Sequence, residues 1–191
     1  MNLPNKLTIM RVILVPVFII VMLLPFYGVN TARIIGCAIF VIASLTDMLD
    51  GKIARKYNLV TDFGKFLDPL ADKILVITAF ICAMTVETGH RYMVSAIAVT
   101  TAVIVFRELA VSGLRLVVAS SPDAKVIAAA WLGKVKTVIQ MITIIVLLLE
   151  PVFFSMNYYL SPFLLAATAV MTIWSGADYF RAYWGYINPS K

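Results

Sequence analysis

The sequence predicts an all-α polytopic membrane protein of six spanning helices, led in by a short amino-terminal interfacial segment. Two observations carry this. Hydrophobic residues make up 62% of the 191 and the mean hydropathy is +0.95, well above the roughly 45–50% apolar usage of soluble domains. The apolar residues also fall in six runs separated by more polar segments, which in lipid leaves the helix as the backbone's way to satisfy itself. A chain of 191 residues has room for one domain, taken here as 1–191. The charged fraction is only 14% and the net charge +6, a balance suited to anionic headgroups or phosphate substrates. Most basic residues lie between apolar runs rather than on a soluble face, which argues against nucleic acid.

Residues 2 to 8, NLPNKLT, put Asn2, Pro4, Asn5 and Lys6 ahead of any long apolar run. The run that follows is long and closes without a small-residue cleavage pattern, so this is an interfacial lead-in and not a cleavable signal. The first span covers about Val12 to Tyr27, and Pro16 and Pro25 are tolerable within it. Gly28 to Asn30 turns the chain. The second span begins near Ala32, reaches Asp47, and continues with a polar end to about Arg55. The third starts after Gly64 and runs to about Val86. Asp68 precedes Pro69, so the helix either begins or bends there. Glu87 to Arg91 forms the next turn, and the fourth span covers about Tyr92 to Ala119. The fifth runs from about Thr137 to Leu149, Pro151 to Asn157 turns, and the sixth covers about Tyr158 to Phe180. Cys37 and Cys82 lie in apolar stretches without metal-binding spacing and read as small buried hydrophobes. His90 sits in a turn beside Arg91 and has no catalytic setting.

Function gathers in residues 47 to 72, which hold five of the ten acidic residues. Asp47 and Asp50 are three apart and Asp68 and Asp72 four apart, so each pair shares a helix face. Gly64 and its polar neighbours mark a loop between two apolar segments. Two antiparallel helices would therefore present four carboxylates to one small volume. Two such charges about 4 Å apart repel by roughly 4 kcal/mol at an effective dielectric near 20. Four need a cation to stay ionised. Carboxylate oxygens with no Cys or His nearby suit Mg²⁺, Mn²⁺ or Ca²⁺ rather than zinc, and four Asp can hold two ions that clamp phosphoryl oxygens. Gly51 and Ala54 remove bulk where a ligand could approach the helix, and Arg55 offers a fork suited to phosphate. The alternative is that Gly51 and Ala54 serve close packing, while Lys52, Arg55 and Lys56 are flanking charges at a membrane surface.

Asp47-x2-Asp50-Gly51-x2-Ala54-Arg55-x8-Gly64-x3-Asp68-x3-Asp72 resembles the signature of the CDP-alcohol phosphatidyltransferase family, with every fixed position filled. The resemblance implies a membrane enzyme that moves a phosphatidyl or related group from a CDP-linked donor to an alcohol and releases CMP. By the same resemblance Asp47, Asp50 and Asp68 are ligands of two divalent metals, Mg²⁺ or Mn²⁺. Asp72 is a ligand that doubles as the general base. Gly51, Ala54, Arg55 and Gly64 belong to the CDP-diacylglycerol site. Asn2-x-Pro4-Asn5-x2-Thr8-x2-Arg11 is similar to the amino-terminal pattern of the phosphatidylglycerophosphate synthase branch, adding Asn5, Thr8 and Arg11 to the donor site. The alternative for Lys6 and Arg11 is a pair of charges that only set topology. The family likeness also implies a homodimer.

A second constellation lies on the fourth and fifth spans. Glu108, Ser112 and Arg115 form one polar stripe on an otherwise apolar helix, with Arg107 beside it, and intramembrane ionisable groups are functional candidates by default. The structural alternative is a Glu108–Arg115 pair that merely positions helices. Lys134 and Lys136 open the fifth span, where cations oppose the helix dipole unless an anion sits between them. A phosphate-bearing acceptor fits Arg107, Ser112, Arg115, Lys134 and Lys136. Both stretches are similar to those of the same branch, whose acceptor is glycerol 3-phosphate. Asp178 also fits the family pattern without an evident task, and Asp123 and Lys125 read as solvated loop charges.

Several purely apolar runs fall short of about 20 residues, always on the motif side. That places the site at headgroup depth. The turns after spans one, three and five hold only Arg33 and Arg91 of sixteen basic residues. By the positive-inside rule both termini and the motif face the cytoplasm, in the cell membrane. Family members that use inositol phosphate, serine or phosphatidylglycerol as acceptor share the central motif. A cation transporter would also place carboxylates in the membrane, but near its midplane and often with inverted repeats. Here the acids gather at one end and no repeat is visible.

Overall fold

The computed structural model describes residues 3–24, 26, 28–56, 61–87, 90–119, 131–155 and 157–187; side chains at 3, 4, 47–56, 62, 63, 65, 66, 186 and 187 lie outside the description. The described residues form six α-helices: α1 (Leu3–Leu23), α2 (Val29–Lys56), α3 (Asp62–Thr85), α4 (Arg91–Ala119), α5 (Trp131–Phe153) and α6 (Ser161–Ile187). α1 packs on α2 and α3, α4 on α3 and α6, and α5 on α2, α3 and α6. Phe18, Phe40, Phe80, Ile104, Ile144 and Leu148 meet in the shared core. Ile13, Ile20, Val99, Phe106, Leu116 and Phe163 are each more than half exposed, as side chains that face lipid should be. Five helices are long and apolar enough to cross a membrane. α3 differs because Asp62, Lys65, Asp68, Asp72 and Lys73 occupy about its first three turns. The polar, motif-bearing helix end expected from sequence is this stretch.

Boundaries depart from the sequence reading. α1 ends at Leu23 and not near Tyr27, α2 starts at Val29 inside the expected turn, and α5 starts at Trp131 and not near Thr137. Three further departures bear on the frame of the site. The separate interfacial lead-in is, from Leu3 onward, the first turns of α1. Pro4 lies in the first turn, where a missing amide breaks no helix bond. Asn5, Thr8 and Arg11 are buried, so their polarity marks an inward face and not a surface segment. α3 begins before Gly64: Thr61, in extended conformation, caps it by accepting from the Gly64 amide at 3.1 Å. The helix then continues through Pro69.

α5 likewise runs past Pro151 to Phe153 instead of turning there. Its Glu150 is buried and receives the amides of Tyr159, Leu160 and Ser161 at 2.7, 2.5 and 2.8 Å. These are donors that the start of α6 would otherwise leave unsatisfied, and a carboxylate there also suits the helix dipole. α5 thus caps α6.

Arg33 is not the turn residue that the charge count assumed. It lies within α2, is 1% exposed, and pairs with buried Glu87 at 3.0 Å. The guanidinium also donates to the Leu147 carbonyl at 3.3 Å and to the Tyr158 hydroxyl at 3.2 Å, while that hydroxyl donates to Glu87. Burial and the Glu87 carboxylate push the Tyr158 hydroxyl pKa upward. The network ties α2, α3, α5 and the approach to α6 together at the end of the bundle opposite the motif. His90 stands beside it, with Nδ1 3.7 Å from Glu87 and its ring edge-on to Tyr158.

Candidate active site

The site begins where the start of α1 crosses the start of α3. Thr8 donates its hydroxyl to Asp68 Oδ1 at 2.6 Å. Thr61 donates to Asn5 Oδ1 at 2.9 Å. Gly64 completes the cradle: a β-carbon there would stand 3.2 Å from Asn5 Oδ1, 3.3 Å from Thr61 Oγ1 and 3.8 Å from Asp68 Oδ2. A β-carbon at residue 64 would crowd the Asn5 and Thr61 oxygens by a few tenths of an ångström and meet Asp68 at ordinary van der Waals distance. Asp72 follows one turn on, on the same face as Asp68 and half-buried like it. Oxygens of Asn5, Thr8, Thr61 and Asp68 meet here, atoms of the kind that hard divalent cations take, although no three acidic, histidine or cysteine side chains among the described residues are grouped to hold an ion. Arg11, three residues beyond Thr8, is fully buried. The side chains of Asp47, Asp50, Gly51, Ala54 and Arg55 lie outside the described residues; their backbone forms the carboxyl-terminal turns of α2.

Beside Asp72 opens a cavity of about 640 Å³, within the usual size of ligand pockets. α3 contributes Asp72 and Lys73, α4 contributes Arg107, Glu108 and Arg115, and α5 contributes Lys134 and Lys136. Five cations against two carboxylates leave the described lining three positive charges in excess. The remainder of the wall is largely apolar, including Phe40, Val76, Ile104 and Met141. The cavity therefore joins an anion-binding corner to a surface fit for hydrocarbon.

Four of the five cations in that corner are held. Arg107 donates to Glu108 Oε1 at 3.0 Å and to Ser175 Oγ on α6 at 2.9 Å. Gly176 makes room for its stem, since a β-carbon there would lie 3.2 Å from Arg107 Cγ. Lys136, buried on α5, bonds to Glu108 Oε1. Lys73 reaches Ser112 Oγ at 2.6 Å and stands 3.6 Å from Glu108 Oε2. The Glu108–Arg115 pairing weighed from sequence is replaced by other partners. Arg115 donates to the Tyr179 hydroxyl at 2.8 Å, with its guanidinium carbon 5.1 Å from that ring's centroid, and Tyr179 stacks on Tyr183.

The structure brings Asp72, Arg107, Arg115, Lys134 and Lys136 to one cavity, and Asn5, Thr8, Gly64 and Asp68 to one cradle. Ser112 joins the first group through Lys73. Lys73 was missed as a site residue because it adjoins the aspartate motif and passes for its flanking charge. The rule that singled out Arg107, an ionisable group on a membrane helix, applies to Lys73 equally. Ser175 and Tyr179 carried no sequence signal, because what marks them is their contact with arginines on α4.

The family model of the CDP-alcohol phosphatidyltransferases matches residues 1–174. The chain belongs to that family. Among its relatives is the CDP-diacylglycerol–glycerol-3-phosphate 3-phosphatidyltransferase of Bacillus subtilis strain 168, 42% identical over 200 residues, with 100% of this chain and 99% of the relative covered. Proteins of the same name from Salmonella typhimurium and Yersinia pestis are similar too. The first is 39% identical over 181 residues, covering 95% of this chain and 94% of the relative. The second is 38% identical over 185 residues, covering 96% of each. As a CDP-alcohol phosphatidyltransferase, the chain carries its oxygen cradle and its cationic cavity side by side at one end of the bundle.

Proposed function

We propose that this chain transfers the phosphatidyl group of CDP-diacylglycerol to glycerol 3-phosphate, giving phosphatidylglycerophosphate and CMP for phospholipid synthesis. The observation that carries the reading is the cationic cavity opening beside Asp72. A phosphomonoester brings up to two negative charges, and Arg107, Arg115, Lys134 and Lys136 supply the donors for it. Serine would need no such surplus of cations. The full-length relatives named for this reaction support the same acceptor.

The donor's nucleotide and pyrophosphate fall to Asn5, Thr8, Arg11, Gly51, Ala54, Arg55 and Gly64. Asp47, Asp50, Asp68 and Asp72 would hold two divalent cations, Mg²⁺ or Mn²⁺. When bound, these supply charge neutralisation for the pyrophosphate and the departing CMP. Thr8 orients Asp68 through its hydroxyl bond. The corner of lysines and arginines fixes the acceptor phosphate, which leaves the far hydroxyl directed at the Asp72 side of the cavity. Asp72 takes the proton of that primary hydroxyl, whose oxygen attacks the phosphorus bearing the lipid. The bond from that phosphorus to the pyrophosphate bridging oxygen breaks, and CMP leaves. Acyl chains lie along the apolar cavity wall and the lipid-facing helix surfaces.

The chain sits in the cell membrane as one multi-pass domain with both termini and the site toward the cytoplasm, the side of the CTP from which the donor's cytidine nucleotide derives. It works as a homodimer, as the family likeness implies. The test is incubation of the purified protein with CDP-diacylglycerol and Mg²⁺ and each acceptor in turn: glycerol 3-phosphate, inositol phosphate, serine and phosphatidylglycerol. CMP and a new lipid should form with glycerol 3-phosphate. Preference for another acceptor would overturn the substrate and leave the family standing.

A further inference from the structure

Glu108 is the unexpected member of the cationic corner. A carboxylate in a site for an anionic acceptor repels the ligand and occupies the donors the ligand needs. Yet three cations from three helices converge on it: Lys136 on Oε1, Arg107 on the same oxygen at 3.0 Å, and Lys73 at 3.6 Å from Oε2. Its side chain is only 11% exposed, so water screens these contacts little. A simple helix-positioning pair would need one partner and no cavity.

The chemistry of the proposed reaction gives such a group a task. Bond making occurs at the acceptor's hydroxyl, and its phosphomonoester is carried unchanged into the product. A corner that bound that group as tightly as five cations allow would hold product as firmly as substrate. From the convergence of Lys73, Arg107 and Lys136 on one buried carboxylate, we infer that Glu108 is a built-in counter-anion. It holds the cations in array while the corner is empty and competes with the phosphomonoester for them. Phosphate affinity is thereby kept low enough for product to leave. The inference rests on reading the corner as the acceptor-phosphate site. Glu108 is a positioning and affinity-setting residue in this scheme; it takes no proton from substrate.

The experiment is inhibition by inorganic phosphate, against varied glycerol 3-phosphate, for the parent enzyme and E108Q in the same lipid–detergent mixture. In the parent, phosphate should compete with glycerol 3-phosphate. In E108Q its inhibition constant should fall at least about tenfold, since removing a like charge a few ångströms from a dianion is worth that much even at the dielectric of bulk water. The Michaelis constant for glycerol 3-phosphate should fall with it. The turnover number should drop, and added phosphatidylglycerophosphate should inhibit at lower concentration. E108D keeps the charge on a shorter stem and should lie between, at about a threefold tightening. If E108Q does not fold, E108D decides alone. An inhibition constant that is unchanged or raised in the folded variant overturns the inference, because a purely structural carboxylate would weaken phosphate binding when lost. Failure of phosphate to compete in the parent would instead overturn the acceptor-site reading, and this inference with it.

Discussion

The Thr8–Asp68 bond spends one carboxylate oxygen on a fixed donor and leaves the other turned toward the Gly64 cradle. Two substitutions on α3 separate what its acids do. Asp68→Asn should abolish turnover, because it removes the carboxylate among the described oxygens of the cradle; parent-like activity, or full activity in excess chelator, would sink the two-metal account. Asp72→Asn should slow the single-turnover rate more than it weakens metal affinity if Asp72 is the base, and both alike if it is only a ligand. An unchanged chemical rate would remove it from the mechanism. On α4, Arg107→Ala deletes one charge-assisted contact, worth roughly 1.5–3 kcal/mol, so the Michaelis constant for glycerol 3-phosphate should rise about ten- to a hundredfold. That for CDP-diacylglycerol should hold. Lost donor affinity instead would move Arg107 into the nucleotide site.

At the scale of helices, what could be read from sequence was whatever repeats with the helix period. Asp68 and Asp72, or Glu108, Ser112 and Arg115, announce a shared face by spacing alone, and α3 and α4 present them so. Contacts between helices announce nothing. Arg33 passed for a turn charge because its partner Glu87 lies 54 residues away, and the fifth span reads as ending at Leu149, with nothing in the sequence to show that Glu150 serves the start of α6. The stretch holding Asn5 and Thr8 reads as an interfacial lead-in because a buried polar face and a wet one have the same composition, and it is the family likeness that assigns both residues to the donor site. The Arg33–Glu87 pair yields a prediction of its own. Arg33→Leu strands a buried carboxylate and should cost about 3–5 kcal/mol, whereas Arg33→Leu with Glu87→Leu should cost much less. Thermal unfolding of both variants in one detergent is the measurement. Equal losses would mean that the residues act independently. Since the pair lies at the far end of the bundle from the cavity, surviving protein should keep its Michaelis constants.

For the whole molecule the governing feature is polarity along the bundle axis. One end carries the oxygen cradle, the cationic cavity and, near it, Lys6 and Arg181. The other has Arg91 exposed and Arg33 internally neutralised by Glu87. Removing Arg33 from the loop count sharpens the asymmetry on which the orientation rests, since a buried ion pair presents no net charge to the inserting machinery. The cytidine nucleotide of the proposed donor derives from cytosolic CTP, so the proposed chemistry and the charge rule point to the same orientation. Single cysteines test it, with Cys37 and Cys82 replaced beforehand although both are buried. Asn30 and Asn157 are exposed at the end away from the cavity. Cysteines there should react with an impermeant thiol reagent in intact cells, while one at Ser190, beyond the end of α6, should react only after the cells are opened. The reverse pattern would put the site on the side without cytidine nucleotides, and the proposed reaction could not then be supplied with its donor.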